Sequence, residues 1–209
     1  MTARISITDF APVQGTQTRI AADDKVVELD YGGAVTAHGG TLWWGAAVGY
    51  RAMQVAAIAL SPETLWKRGN LYVVSGHPGP GVLDALDYVT GCRDNDKLKV
   101  LENPNCVGMC NAQMKFEWWV CDGDKTAHVT LRDDFVPKSF YELTERMFDT
   151  VTEEDKRIFE LFKVSLSAKI WNAPLEESFT VAIEEPVAAG SIPKTTDWNP
   201  ETAKVAESA

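Results

Sequence analysis

Apolar residues recur at three- and four-residue intervals in several stretches of the chain, the spacing that places side chains on one face of an α-helix. The clearest stretch is 44–60, which ends just ahead of Pro62 because proline cannot continue a helix. A second predicted helix has Gly91 as its C-terminal cap, and the last one has Thr152 as its N-cap. Three helices are therefore predicted in addition to 44–60: 82–91, 138–148 and 152–171.

Shorter apolar runs predict β-strands at 23–33, 70–76, 98–102 and 177–185. The first of these is expected to end at the glycine pair Gly32-Gly33. Two more runs, MKFEWWVC and KTAHVTLRD, flank Asp-Gly-Asp and predict a hairpin. Alternation on its second strand puts the apolar residues on one face and His128 on the other, where we expect His128 to be solvated.

The order of these elements is not a regular βαβ alternation. It predicts an α+β domain whose β-sheet has helices packed on one face. We expect this domain to cover residues 1–175, and residues 176–209 to form a C-terminal strand and an extended tail. From Pro186 onward the tail has little apolar material to bury, so we expect it to be disordered or to wrap a partner.

The charge balance excludes some classes of partner. The chain has 20 basic and 30 acidic residues, a net charge of −10, and no cluster of Lys and Arg of the kind that nucleic acid or an anionic membrane requires. No apolar run is long enough to cross a bilayer, and the start of the sequence lacks the pattern of a signal peptide. We therefore expect a cytoplasmic protein, in which the four cysteines would be free thiols or metal ligands.

Candidate metal ligands lie close together in the sequence. The motifs GxSxG, GxGxxG and HExxH and the phosphate-binding P-loop are missing, which excludes the commonest hydrolases, nucleotide-binding enzymes and zinc proteases. Cys106 and Cys110 lie in a loop and could share a metal, or be two unrelated thiols. Cys92 follows the helix 82–91 and would join them if the fold brings it near.

Two histidines lie between predicted elements. His77, in SGHPGPG, precedes the start of a helix, where an anionic ligand could bind, or it belongs to a rigid turn. His38, in HGGTLWWGAAVGYRA, also precedes a helix and could face a cleft. Trp43 and Trp44 in the same stretch either belong to the core or a subunit interface, or line a dry pocket. Asp84 is expected on the outer part of its helix.

Two segments together resemble one known family. HGGTLWWGAAVGYRA is similar to the pattern HGHxCPGxxxGYRA, and LDALDYVTGCRDNDKL is similar to DAIQxLTGCTxGKGNL. Both patterns belong to the FmdE family, which takes its name from formylmethanofuran dehydrogenase, and the resemblance extends over residues 30–170. It implies an α+β fold with a mixed β-sheet, a homodimer and a bound metal, commonly zinc, held by the motif histidine and cysteines.

Carried over residue by residue, the resemblance assigns His38 to the first motif histidine and Cys92 to the cysteine of TGC. Other family ligands are replaced here, the second histidine by Gly40 and two cysteines by Trp43 and Gly81. The zinc ribbon of some members is also missing. Two interpretations remain open. Either His38 and Cys92 keep a modified metal site, completed by Cys106, Cys110 or His77, or the cleft binds an organic ligand against the tryptophans.

We expect a cytoplasmic FmdE-like metal-binding protein with a His/Cys site in an aromatic-lined cleft, acting as a metal-dependent enzyme on a small molecule. Zinc is the first choice of metal, and iron, including haem iron, is the alternative. The competing hypotheses are a non-catalytic carrier of metal, haem or a small ligand, and an accessory subunit of an oxidoreductase. The residues are assigned as follows: catalytic His38, Tyr50 and Arg51; cofactor-binding Trp43, Trp44 and His77; metal-binding His38, Cys92, Cys106 and Cys110.

Overall fold

The computed structural model describes residues 18–22, 25–40, 44–60, 65–94, 96–102, 115–194 and 204–205. The helices are α1 Tyr31–Ala37, α2 Trp44–Leu60, α3 Pro80–Thr90, α4 Lys138–Asp149, α5 Glu153–Asn172 and α6 Leu175–Ser178. The strands are β1 Thr18–Ala22, β2 Lys25–Leu29, β3 Tyr72–Ser75, β4 Leu98–Glu102, β5 Glu117–Cys121, β6 Thr126–Leu131, β7 Phe179–Glu184 and β8 Lys204–Val205. Within the described ranges, no helix is both long and apolar enough to cross a membrane.

The main sheet is mixed and has the strand order β7-β6-β5-β3-β4-β8. β3 and β4 are parallel and are joined by α3, whereas every other neighbouring pair in this sheet is antiparallel. β1 and β2 form a separate two-stranded antiparallel sheet. This arrangement confirms the predicted α+β fold with a mixed sheet, and it makes β7 an edge strand of that sheet.

The sheet has two unlike faces. The helix face carries the large core, where Trp118, Val120, Ala127 and Val129 pack in one cluster with the buried side of α2. The opposite face, called the outer face below, carries a small second core that includes Tyr72 and Trp119. Because residues alternate along a strand, Trp118 and Trp119 take part in different cores. The chain therefore buries its apolar side chains on both sides of one sheet.

α2 and α3 approach each other closely because glycines line their contact. A methyl group at Gly49 would lie 3.0 Å from the Val82 carbonyl oxygen, and one at Gly45 would lie 3.2 Å from the Val82 amide nitrogen. From the α3 side, a methyl at Gly81 would lie 3.1 Å from the Ala46 amide nitrogen. The start of α2 and the start of α3 thus meet at backbone distance, which fixes the position of the residues around them.

The structure confirms several predicted elements, together with the bounds or caps that the sequence predicts for them. α2 has the predicted bounds, α3 ends at Gly91 in a left-handed conformation, and α5 begins with a capping box formed by Thr152 and Asp155. The predicted hairpin is present as β5 and β6.

Two predictions are wrong. Gly32-Gly33 does not end a strand but lies inside α1, because the Asp30 side chain accepts a hydrogen bond from the Gly33 amide and starts a helix there. The expectation that the tail is disordered or wraps a partner is wrong for its described residues up to 194, where Val187 and Ile192 pack against the second core of the chain's own sheet. The tail backbone is also tied down, since the Tyr72 hydroxyl donates to the Ser191 carbonyl. Residues 195–203 and 206–209 lie outside the described residues.

Candidate functional site

The candidate site lies at the end of the sheet where the parallel strands β3 and β4 finish, called the carboxyl pole below. His38 reaches this pole from the C-terminal end of α1, where its amide donates to the Ala34 carbonyl. Gly39 and Gly40 follow with φ of 79° and 74°, conformations that favour glycine and turn the chain away from the helix. The local sequence therefore leaves the imidazole at a helix end.

His38 forms a short contact with a carboxylate of α3. Its Nδ1 lies 2.6 Å from Oδ2 of Asp84, and the other oxygen of Asp84 accepts a hydrogen bond from the Arg93 guanidinium, also at 2.6 Å. The side chain of His38 is 13% exposed and that of Asp84 is 23% exposed. The carboxylate is thus shared between an imidazole and a guanidinium at the edge of the protein.

The charge state of Asp84 follows from these partners. Burial acts to raise the pKa of this carboxyl, but hydrogen bonds from His38 and Arg93 outweigh it and hold the pKa below its usual value. Asp84 is therefore ionised at neutral pH and accepts a hydrogen bond from Nδ1 of His38. With Nδ1 held as a donor, a proton acceptor or a metal ligand at this ring would have to be Nε2.

Nε2 of His38 lies close to the backbone at the start of α3. A methyl group at Gly81 would lie 3.4 Å from this nitrogen, so the glycine leaves room for the ring beside the first turn of α3. The first turn of α2 is at the same place, because Gly81 and Ala46 are in backbone contact. Helix N-termini carry partial positive charge, which favours negative groups at this pole.

His77 also lies at the carboxyl pole, just after β3, but it is fully buried. Its Nδ1 accepts a hydrogen bond from the Gly79 amide at 3.0 Å, so the neutral ring carries its proton on Nε2. Burial lowers the pKa of His77 to about 4, which keeps the ring uncharged at neutral pH. Its predicted cofactor-binding role would therefore use a neutral ring that donates through Nε2.

An aromatic cluster connects His77 to the start of α2. The His77 ring lies 4.4 Å from that of Phe116, and Phe116 lies 5.8 Å from the ring of Trp44. Trp44 also stacks on Phe135 and is buried, and within the described residues its indole nitrogen has no hydrogen-bond partner. Trp44 is therefore placed as a core residue next to the carboxyl pole. Trp43 lies outside the described residues.

The structure does not bring the proposed metal ligands His38 and Cys92 together. His38 contacts Asp84 in α3, whereas Cys92 follows the C-terminal cap, eight residues and about 12 Å further along the helix axis. Burial also raises the pKa of the Cys92 thiol to about 11, so it is protonated at neutral pH. Metal–ligand bonds are about 2 Å long, so one ion cannot bind both residues.

Cys106 and Cys110 lie outside the described residues, in the segment 103–114. The described residues on either side of that segment are at the carboxyl pole: β4 ends at Glu102, and the Gly76 amide just ahead of His77 donates to the Glu117 carbonyl. Among the residues that the structure describes, no group of three His, Cys, Asp or Glu side chains is arranged to hold a metal ion.

Tyr50 and Arg51 face other parts of the molecule. The Tyr50 hydroxyl donates to the Leu29 carbonyl at 2.8 Å, and burial raises its pKa. Arg51 donates to Gln54 and to the carbonyl of Ala173, and it lies over the Trp171 ring. These contacts tie α2 to β2 and to the end of α5, a packing role for residues predicted to be catalytic.

Two sets of polar contacts differ from the sequence-based expectations. The contact of His38 with Asp84, which Arg93 also contacts, joins residues 46 positions apart, and no local pattern encodes it. His128 is not merely solvated as expected: its ring nitrogens contact carboxylates of Glu117 and Glu184. That cluster could have been found from the hairpin register, which places Glu117, Trp119 and His128 on one face.

Chemically, the His38–Asp84 pair can act in two ways. An imidazole oriented by a carboxylate can ligate a metal through Nε2, or it can accept and return a proton there. No family model matches the chain, and no curated protein matches it.

Proposed function

We propose that this chain is a cytoplasmic FmdE-like metal-binding protein in which His38 is a metal ligand through Nε2. The observation that carries the proposal is the 2.6 Å contact between Nδ1 of His38 and Asp84. Histidines that bind metals usually donate their second ring N–H to a carboxylate or a carbonyl, which fixes the ring orientation and makes it a stronger ligand. Asp84 meets that requirement, and Arg93 holds Asp84 in turn.

The remaining ligands in this proposal are Cys106 and Cys110. Their segment is attached at both ends to strands that flank β3 and His77. One histidine nitrogen with two thiolates is a donor set that suits zinc, and iron, including haem iron, is the alternative. Cys92 is left out of the set, since it lies beyond the end of α3 that is farther from His38.

In catalysis the metal would act as a Lewis acid toward a small-molecule substrate. The residues of the chain would then have separate tasks: Asp84 keeps the His38 ring oriented, Arg93 keeps Asp84 ionised, and the first turns of α2 and α3 favour an anionic group. A homodimer with this site in each copy is part of the proposal, as is the alternative that the site holds its metal or ligand without turnover.

A second candidate function uses the same two residues without a metal. A neutral imidazole whose Nδ1–H is held by a carboxylate is a general base at Nε2, so His38 and Asp84 would form an acid–base pair acting on a small molecule. This candidate is favoured by the observation that both of its residues lie among the described residues and are already in contact, with Nδ1 of His38 2.6 Å from Asp84.

Metal content decides between the two. We expect the protein as purified to carry a stoichiometric transition metal, and His38→Ala and the double variant Cys106→Ser/Cys110→Ser to lose it. Cys92→Ser is the matched control, a thiol removed at the other end of α3, and it should keep the metal. A protein that takes up no zinc or iron, or that loses metal only in Cys92→Ser, would overturn the metal site and leave the acid–base pair as the better interpretation.

A further inference from the structure

A second histidine cluster lies on the outer face of the sheet, away from the carboxyl pole residues. Nε2 of His128 on β6 lies 2.6 Å from a carboxylate oxygen of Glu117 on β5. Its Nδ1 lies 2.8 Å from a carboxylate oxygen of Glu184 at the end of β7. One ring therefore bridges three neighbouring strands, a contact pattern that requires both ring nitrogens to act as donors.

The cluster is largely shielded from water. The side chains of His128, Glu117 and Glu184 are 16%, 12% and 18% exposed, and Trp119 stacks on the imidazole at 4.6 Å between ring centres. Burial by itself would lower the pKa of His128, but the hydrogen bonds to Glu117 and Glu184 outweigh it and raise the pKa above the ordinary histidine value. The two carboxylates are thus the charged groups that stabilise the imidazolium.

The bridge is attached to an edge of the sheet. Among the described strands β7 pairs only with β6, and Thr180, Val181, Ala182 and Ile183 are all exposed. Directly after Glu184, the segment 185–194 crosses the outer face. It is held there by Val187 and Ile192 against the second core and by the Val187 amide, which donates to the Thr126 hydroxyl.

We infer that protonation of His128 is a switch that controls how firmly the end of β7 and the segment 185–194 are held on the outer face. In the protonated state both ring N–H groups donate to carboxylates, so β5, β6 and β7 are joined by two charge-assisted hydrogen bonds. Such bonds are roughly twice as strong as those between neutral groups.

Loss of the proton to solvent changes both contacts. A neutral imidazole has a single N–H, so one carboxylate then faces a ring lone pair and the other keeps only an uncharged donor. The Thr130 hydroxyl, 3.4 Å from Nε2, can donate to that nitrogen in the neutral state, which leaves the single proton on Nδ1 and gives Glu184 an uncharged donor in place of a charged one. The contact that ends β7 is therefore weakened, and the segment that covers Trp119 and Cys121 opens more often.

Hydrogen exchange of the full chain tests this switch, with rates corrected for the intrinsic pH dependence of exchange. Between pH 5.5 and pH 9 we expect protection of 179–194 to fall about tenfold for each unit by which the folded pKa of His128 exceeds its unfolded value. Protection in α2 should stay unchanged, which also reports that the fold is intact. Equal protection of 179–194 at both pH values would overturn the inference.

Two variants locate the effect. His128→Gln should give low protection of 179–194 that no longer depends on pH, and Glu184→Gln should do the same because the charged acceptor on β7 is gone. Glu185→Gln is the matched control, since Glu185 is exposed and its substitution removes the same charge one residue away. A wild-type pH response in Glu184→Gln, or its loss in Glu185→Gln, would contradict the bridge as its origin. Neither His128 nor Glu184 belongs to the proposed metal site, so the two proposals are tested separately.

Discussion

His38 and His128 are both held by carboxylates, but among the described residues the two rings differ in how many carboxylates they contact. There His38 meets Asp84 through Nδ1, at a helix end beside the first turns of α2 and α3. His128 meets two, one at each ring nitrogen, in the middle of a sheet face. A ring with one carboxylate is oriented for chemistry at its other nitrogen, whereas a ring with two carboxylates is a bridge between strands.

The difference also separates the residues that hold structure from those that would hold a ligand. At the carboxyl pole the carboxylate is shared with Arg93, so Asp84 is itself held in place while it orients His38. On the outer face each carboxylate belongs to a different strand, so removing the histidine removes the side-chain link between strands whose backbone pairing remains. Substitutions at the two sites should therefore change different measurements.

The largest expected effect is that of His38→Ala on metal binding. We expect the stoichiometric metal to be lost while the free energy of unfolding of the metal-free protein changes little, because the ring lies at a helix end and is not part of the core. His128→Ala should give the reverse result, keeping the metal and losing about 2 kcal/mol of stability from the hydrogen bonds to charged groups. Metal analysis of both variants as purified, and urea denaturation of both after chelator treatment, measure this. Loss of metal in His128→Ala would contradict the expected difference between the two sites.

Asp84→Asn should weaken metal binding without abolishing it. The amide cannot stabilise the ring as an ionised carboxylate does, and loss of such a partner typically lowers metal affinity roughly 10- to 100-fold. Asp94→Asn is the matched control, an exposed aspartate beside Arg93. Competition with a chromophoric chelator gives the affinities. Equal affinities for the two variants would mean that Asp84 does not act on His38.

Gly49→Ala should disturb the carboxyl pole and spare the outer face. The added methyl would lie 3.0 Å from the Val82 carbonyl oxygen and 3.2 Å from the Ala85 side chain, so α2 and α3 must separate, at a cost of about 1–3 kcal/mol. Gly69→Ala is the control, because a methyl there meets nothing within 4 Å. Thermal or urea unfolding measures the difference, and equal stabilities would contradict the close helix contact.

The smallest effect expected is on the pH dependence of stability. The pKa of His128 is raised in the folded protein, so the stability it contributes is fully present below the unfolded value of about 6.5 and is lost as pH rises through the folded pKa. Wild type should therefore lose stability relative to His128→Gln as pH rises from about 6 to about 9. Urea denaturation at several pH values measures it, and a constant difference would contradict a protonated bridge.

The sequence predicts four of the described helices, α2 to α5, and the hairpin because their signals are local. α2 is one uninterrupted periodic stretch, and the capping box of α5 involves residues three apart. The sequence does not predict α1, because the pair Gly32-Gly33 is typical of a strand end. In the structure the Asp30 cap and the close packing of Gly33 on Tyr88 stabilise a helix there.

The two histidine sites were predictable to different degrees. The register of the hairpin pairs Trp119 with His128, so the outer-face cluster follows from alternation once the turn is known. The His38–Asp84 contact depends on how α1 packs on α3, which no short-range pattern contains. The resemblance to the FmdE family identifies His38 as a candidate ligand, but it also pairs His38 with Cys92, and α3 separates these two residues.

The most direct test is nitrogen NMR of the histidine rings during zinc titration, which is tractable because the chain has three histidines. We expect Nε2 of His38 to show the shift of a metal-bound nitrogen while its Nδ1 keeps its proton toward Asp84. His128 should keep protons on both nitrogens below its pKa and should not respond to zinc. A zinc-dependent shift at His128, or none at His38, would contradict the division between a ligand-binding histidine and a bridging one.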